Sequence, residues 1–248
     1  MSLAFDRMPL TVLLTGFGPF PGAPFNPTAA LPQRLAARRR PAFAEVERIA
    51  HVFRTSYAAV ERELPALIAR TRPDVVLLFG VATRTKYLRV EMRARNARSP
   101  LFPDVDGHRT NSTTIATGKP AVQRSSAPHR ILLAALRAQR LPARLSHSAG
   151  RYLCNFAYWY ALAAADGSGT PLVQFIHVPT VRRLPMRPAR DRRRPTPRDL
   201  MRAGEAILMT LIVAARARRR GRAQRPIVAV PVQAEPRPKL EPRQAVAG

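Results

Sequence analysis

Short, dense runs of apolar residues alternate along this chain with longer stretches in which apolar residues recur every three or four positions. Residues 11–15 (TVLLT) are the first dense run and predict a buried strand ending at a glycine-rich turn. Asn26 followed by Pro27 predicts an N-cap with proline at the first helical position, opening a helix through Leu31 and Leu35 to Arg40 that is strained by Pro32. Residues 46–53 predict a second strand, and Ser56 then caps a helix through Val60, Leu64, Leu67 and Ile68 that must hold Pro65. Residues 74–80 are the clearest buried strand, and 87–92 alternate enough to be another. Residues 97–120, rich in Pro, Asp, Gly, Ser and Thr, read as a long surface excursion. A helix over 128–139 follows, with Ile131, Leu132, Ala135 and Leu136 on one face. A strand (143–147), an apolar helix (153–165) and a strand (172–178) complete the pattern. Strands alternating with helices predict an α/β fold, a mostly parallel sheet covered on both faces.

After Pro179 the pattern changes. Residues 182–194 are basic and proline-containing, an expected exposed loop, and Thr196 to Asp199 fit a capping box that opens a helix to about Arg216. From 217 onward no periodicity remains, so the expected organisation is a single domain over 1–216 and a disordered, basic tail over 217–248.

Composition changes this picture in two ways. A single cysteine excludes an internal disulfide framework and suits a reducing compartment. With no secretory pattern at the start, and an apolar stretch at 206–215 too short to span a bilayer, the expectation is a cytoplasmic protein without a membrane partner. The formal charge of +27 has two readings. A nucleic acid or other polyanion would be bound through phosphate contacts. Alternatively, arginine has simply accumulated on the surface: only Lys86, Lys119 and Lys239 are lysines, and no aromatics interleave with the arginines to stack bases. The second reading is favoured, with non-specific polyanion binding through the Arg-rich tail expected beside it.

Three residues stand where chemistry is possible. Cys154 opens the predicted apolar helix after a small-residue turn, facing unpaired N–H groups and the positive end of the helix dipole, a setting that suits a nucleophilic thiol. The competing reading is a small buried hydrophobe. His177 lies in the last strand near its end, and Glu91 lies near the end of the 87–92 strand. Ligands of open parallel sheets bind beyond the carboxyl ends of strands, so Cys154 and His177 are expected at one rim. Alone, His177 reads equally as a satisfied core histidine and Glu91 as an ion-paired surface carboxylate. No histidine pair has metal-site spacing, and no metal or other cofactor is called for. Gly16, Gly18 and Gly22 do not make a phosphate loop, because Pro19, Pro21 and Pro24 lack N–H groups and no Lys-Ser/Thr pair follows.

Leu14 to Phe20 with Asn26-Pro27-Thr28, Ser148 to Asn155, Phe175 to Pro179, and Gly80 to Asn96 together resemble the motifs of the pyroglutamyl peptidase I family of cysteine peptidases, in its order and at its intervals. The resemblance implies a three-layer α/β/α sandwich of the phosphorylase/hydrolase-like kind around a mostly parallel, twisted mixed sheet. It also implies a Cys154–His177–Glu91 triad, a thioester acyl-enzyme, and peptides with N-terminal pyroglutamate as substrates. Phe17 and Phe20 match the family's lactam-holding aromatics, with Asn26 in the same substrate-binding loop. A homo-oligomer is left open. Two departures go with it: Met92 follows the glutamate where the family has arginine, and Leu101 occupies the place of a second arginine. Arg93, Arg95 and Arg98 are the nearby candidates to replace them. The alternatives are a divergent member with altered or lost peptidase activity, and a basic polyanion-binding protein.

Overall fold

A computed structural model describes residues 9–165, 171–182 and 194–224. Six strands form the main sheet: β1 (Leu10–Phe17), β2 (Val46–Phe53), β3 (Val75–Val81), β4 (Leu88–Glu91), β7 (Ala143–Ser146) and β8 (Leu172–Val178). Their order is β2-β1-β3-β8-β4-β7. The first four in that order are mutually parallel, while β4 runs antiparallel to β8 and carries β7 parallel to itself. A separate antiparallel ribbon joins β5 (Arg93–Arg95) to β6 (Val122–Arg124).

Side-chain alternation along the strands makes two cores. On one face Val12, Leu14, Leu77, Phe79 and Ile176 pack with Leu35, Leu132, Leu136, Ile207 and Leu211. These come from helices α1 (Leu31–Ala36), α3 (His129–Ala138) and α5 (Pro197–Ala223). On the other, Leu13, Val76, Leu78 and Phe175 pack with Val60, Leu64, Phe156 and Trp159 of α2 (Tyr57–Thr71) and α4 (Leu153–Ala164). The molecule is therefore a three-layer α/β/α sandwich around a mixed, mostly parallel sheet. Strands β3 and β8, buried on both faces, read as the near-continuous apolar runs expected of central parallel strands.

Three expectations need correction. The helix read from Asn26 to Arg40 is two pieces: Asn26 caps a 3₁₀ turn over Pro27–Ala29, and α1 begins afresh with Pro32 at its second position. Pro32 therefore lies in a first turn, where its missing N–H costs nothing. Ile131 is exposed rather than on the packed face of α3, which buries Leu132 and Leu136. The capping box at Thr196 forms as expected, but α5 continues past Arg216 to Ala223. Arg219 holds that extension by pairing with Asp74 at 2.5 and 2.6 Å, and Arg218 by donating to the Ser126 carbonyl. The reversal of β4 agrees with the expected mixed sheet, though apolar patterning does not encode which strand reverses. The predicted loop over 182–194, apart from its two ends, and the tail beyond 224 lie outside the described residues.

Candidate active site

Three adjacent strands line up residues of one level on the face covered by α4: Gly80 of β3 pairs with His177 of β8, which pairs with Arg89 of β4. One level below come Leu78, Phe175 and Glu91. Because β4 is antiparallel to β8, Glu91 and His177 are diagonal neighbours on the same face, within reach of long side chains. His177 Nδ1 lies 2.8 Å from Glu91 Oε1. Glu91 is fully buried and His177 nearly so.

Cys154 reaches this level by another route. The end of β7, Ser146, pairs with Glu91, so the carboxyl end of β7 is not at the rim where β8 ends. The Cys154–His177 juxtaposition does not follow the parallel-strand rule. Residues 147–152, which include Gly150 in the left-handed region (φ 88°), carry the chain back to the start of α4. There Cys154 sits directly over Gly80. A Cβ on Gly80 would stand 2.7 Å from Cys154 Sγ and 2.7 Å from Phe175 Cζ, so only glycine leaves room for the thiol. Cys154 is partly accessible and its side chain is within hydrogen-bonding reach of His177.

The electrostatics of His177 combine opposing effects. Burial alone would push its imidazolium down. The negative charge and hydrogen bond of the Cys154 sulfur, then those of Glu91, outweigh burial and raise it to about 9. His177 thus lies between the Cys154 sulfur and the Glu91 carboxyl group, both of which favour its protonated form. Helix α4 starts at the Tyr152 N-cap without a side-chain cap, which leaves its first-turn N–H groups facing the thiol's surroundings.

Beside the thiol opens a pocket of about 170 Å³, lined by Phe17, Phe20, Asn26, Thr55, Val81, Ala149, Tyr152, Leu153, Cys154 and His177. All three residues expected in a substrate-binding loop line it. Asn26 nevertheless spends its polar atoms locally: Oδ1 accepts from Thr28 N (3.0 Å) and Thr28 Oγ1 (2.9 Å), and Nδ2 donates to the Gly18 carbonyl (3.0 Å). It stiffens the loop that carries Phe17 and Phe20. Thr55 Oγ1 also donates to Gly18, fastening that loop from the β2 side.

The arginines considered as substitutes lie elsewhere. Arg93 Nε donates to the His147 carbonyl, Arg95 is exposed, and Arg98 donates to the Thr114 carbonyl while its guanidinium lies over the Phe156 ring. Leu101 is 69% exposed and is not a lining residue. Sequence reasoning missed Arg89, whose Nε is 3.0 Å from Glu91 Oε1. Its signal was the period of two along β4, which puts residues 89 and 91 on one face. It also missed Asn155. That fully buried side chain accepts from Arg95 N (2.9 Å) and donates to the Arg95 and Ala97 carbonyls (2.8 and 3.0 Å), locking α4 to β5 and to the excursion beyond it.

A lone thiol over an imidazole–carboxylate pair, at the edge of an α/β/α sandwich, has the composition of a cysteine-dependent hydrolase site. The family model for pyroglutamyl peptidase matches residues 10–216, and the chain belongs to that family. The pyrrolidone-carboxylate peptidase of Thermococcus kodakarensis is 33% identical over 175 residues, covering 68% of this chain and 81% of the relative. That of Thermococcus onnurineus is 32% identical over 208 residues, covering 83% and 100%. Among solved structures, a mutant pyrrolidone carboxyl peptidase from Pyrococcus furiosus superposes with a TM-score of 0.74 at 23% identity, covering 83% of this chain and 99% of that one. The enzyme from Fervidobacterium islandicum gives 0.73 at 27% identity, covering 82% and 99%. No helix among the described residues is long and apolar enough to cross a membrane.

Proposed function

We propose that this chain is a cysteine exopeptidase that removes N-terminal pyroglutamate from peptides, with Cys154 as nucleophile, His177 as general base and acid, and Glu91 as the group that orients His177. The observation that carries the reading is the chain of contacts from the Cys154 thiol through His177 to the buried Glu91 carboxylate, opening on a small, largely apolar pocket. His177 takes the thiol proton, and Glu91 fixes the ring and supports its charge. The sulfur adds to the carbonyl carbon of the pyroglutamyl residue, and the resulting oxyanion is met by N–H groups at the start of α4. Collapse breaks the C–N bond, with His177 returning its proton to the departing amine and leaving a thioester on Cys154. Water, deprotonated by His177, then adds to the thioester, releasing pyroglutamate and the thiol.

Phe17 and Phe20 supply apolar walls for a flat, neutral lactam, and the limited volume favours a ring with no side chain beyond it. The test is mass spectrometry of a synthetic peptide before and after incubation. The expected result is loss of one pyroglutamyl residue and appearance of a free N-terminal amine. An unchanged peptide across several following residues would overturn the assignment. A second reading, a member with diminished activity, is favoured by one observation: no arginine among the described residues lines the pocket. Installing arginine at Leu101 or Met92 tests it. A rise in kcat of tenfold or more supports that reading, and no gain counts against it.

A further inference from the structure

We infer that Arg89 is a positioning residue of this site, acting on the reaction through Glu91 and the nucleophile loop. The inference rests on the triad proposed above.

Glu91 is fully buried, and Oε2 has no hydrogen-bond partner among the described residues. Its side-chain interactions therefore converge on Oε1, which is shared by His177 Nδ1 at 2.8 Å and Arg89 Nε at 3.0 Å. A buried carboxylate with one orphaned oxygen is costly unless cations face the other. Arg89 is also the strand neighbour of His177, so its backbone and its guanidinium both belong to the same patch of sheet. Its side chain is about one quarter exposed and is committed on several sides. Nε and Nη2 lie 3.2 and 2.8 Å from Ser146 Oγ, and Nη2 also donates to the Ser148 carbonyl. Ser148 begins the segment that leads through Gly150 to Cys154.

One planar cation thus ties the orienting carboxylate, the end of β7 and the base of the nucleophile loop. A fork of donors in fixed geometry can do this where a single ammonium cannot. The guanidinium thus extends the line of contacts that runs from the sulfur through the imidazole to the carboxyl group. Arg89 sets which way Glu91 faces and how the loop sits, and does not touch the substrate pocket.

The test is a double-mutant cycle between Arg89→Met and Glu91→Gln, read in two ways. The first is kcat and KM on a fluorogenic pyroglutamyl amide. The second is the rate at which iodoacetamide alkylates Cys154 near neutral pH, which is unambiguous because the chain has one cysteine. Arg89→Met is expected to lower kcat by tenfold or more with KM changed less than threefold, and to slow alkylation severalfold. In the Glu91→Gln background the same substitution is expected to cost less than threefold in each readout. Equal losses in both backgrounds, or an unchanged kcat, would overturn the inference. Should Arg89→Met not fold, Arg89→Lys carries the same cycle, since it keeps the charge and loses the fork. If the wild-type protein hydrolyses no pyroglutamyl amide, the peptidase reading fails. The alkylation cycle still decides whether Arg89 acts through Glu91.

Discussion

His177 lies between the Cys154 sulfur and the Glu91 carboxyl group, and that position sets the pH behaviour expected of the enzyme. Its imidazolium is raised to about 9 by the Cys154 sulfur first and by Glu91 next, against the opposing effect of burial. The protonated ring is the form that donates to the departing amine. The alkaline limb of kcat/KM should therefore fall near pH 9, with activity lost as pH rises through it. Glu91→Gln removes one of the two groups that raise the ring, so its limb should move to lower pH, and kcat should drop by about 10²-fold or more. A pH–rate profile of the two proteins checks both signs. Gly80 constrains the same site from below. With 2.7 Å available for a Cβ, Gly80→Ala must displace the sulfur or Phe175. A misplacement near 1 Å costs about 10²-fold in kcat/KM. Alkylation of Cys154 by a small reagent, which needs no aligned carbonyl, should persist in that variant.

Among the elements, the strands that run through the centre were the most legible. β8 was read at its true bounds because LVQFIHV is buried along its whole length. The Ser56 cap of α2 and the capping box of α5 were equally plain, since each places an oxygen where an unpaired helix N–H demands one. Three features were not legible. The three-residue strands β5 and β6 are too short for any periodicity to register. The reversal of β4 depends on pairing partners far along the chain, yet it is what makes Glu91 and Arg89 diagonal and direct neighbours of His177. The excursion looked like loop and is loop, but polar side chains, one buried and one half-buried, order it. Asp104 accepts from Tyr57, Asp106 and His108 backbone N–H groups, and Asn96 accepts from Ile115 and Ala116. Asp74 accepts from Thr11 N at 2.9 Å and pairs with Arg219, so Asp74→Ala leaves the Thr11 N–H unmet and removes the carboxylate that Arg219 pairs with. A cost of about 1–3 kcal/mol follows, which calorimetry should register as a Tm lower by roughly 3–10 °C. Activity per folded molecule should be unchanged.

For the molecule as a whole, the +27 charge is not concentrated at the carboxyl end. Beyond Gln224, Arg225, Arg237, Lys239 and Arg243 are offset by Glu235 and Glu241, leaving that segment at only +2. Of the basic residues assigned to the tail, Arg218, Arg219, Arg220 and Arg222 belong to the last turns of α5. A chain ending at Gln224 should therefore keep its fold, its peptidase activity and most of its retention on an anionic heparin column at moderate salt. A chain ending at Arg216 loses Arg219 and should melt earlier for the same reason as Asp74→Ala. The candidate site itself was half legible. Cys154 and His177 stood out by their positions in the pattern, whereas Arg89 and Gly80 became visible only once the strand register was known.

The central claim is that the sole thiol performs the chemistry. Its most direct test is release of fluorophore from a pyroglutamyl amide by the wild-type protein beside Cys154→Ser, with stoichiometric iodoacetamide as a third arm. Turnover by the wild type alone, abolished in step with alkylation of the single cysteine, is the predicted result. Turnover that survives in Cys154→Ser or after complete alkylation would contradict the account.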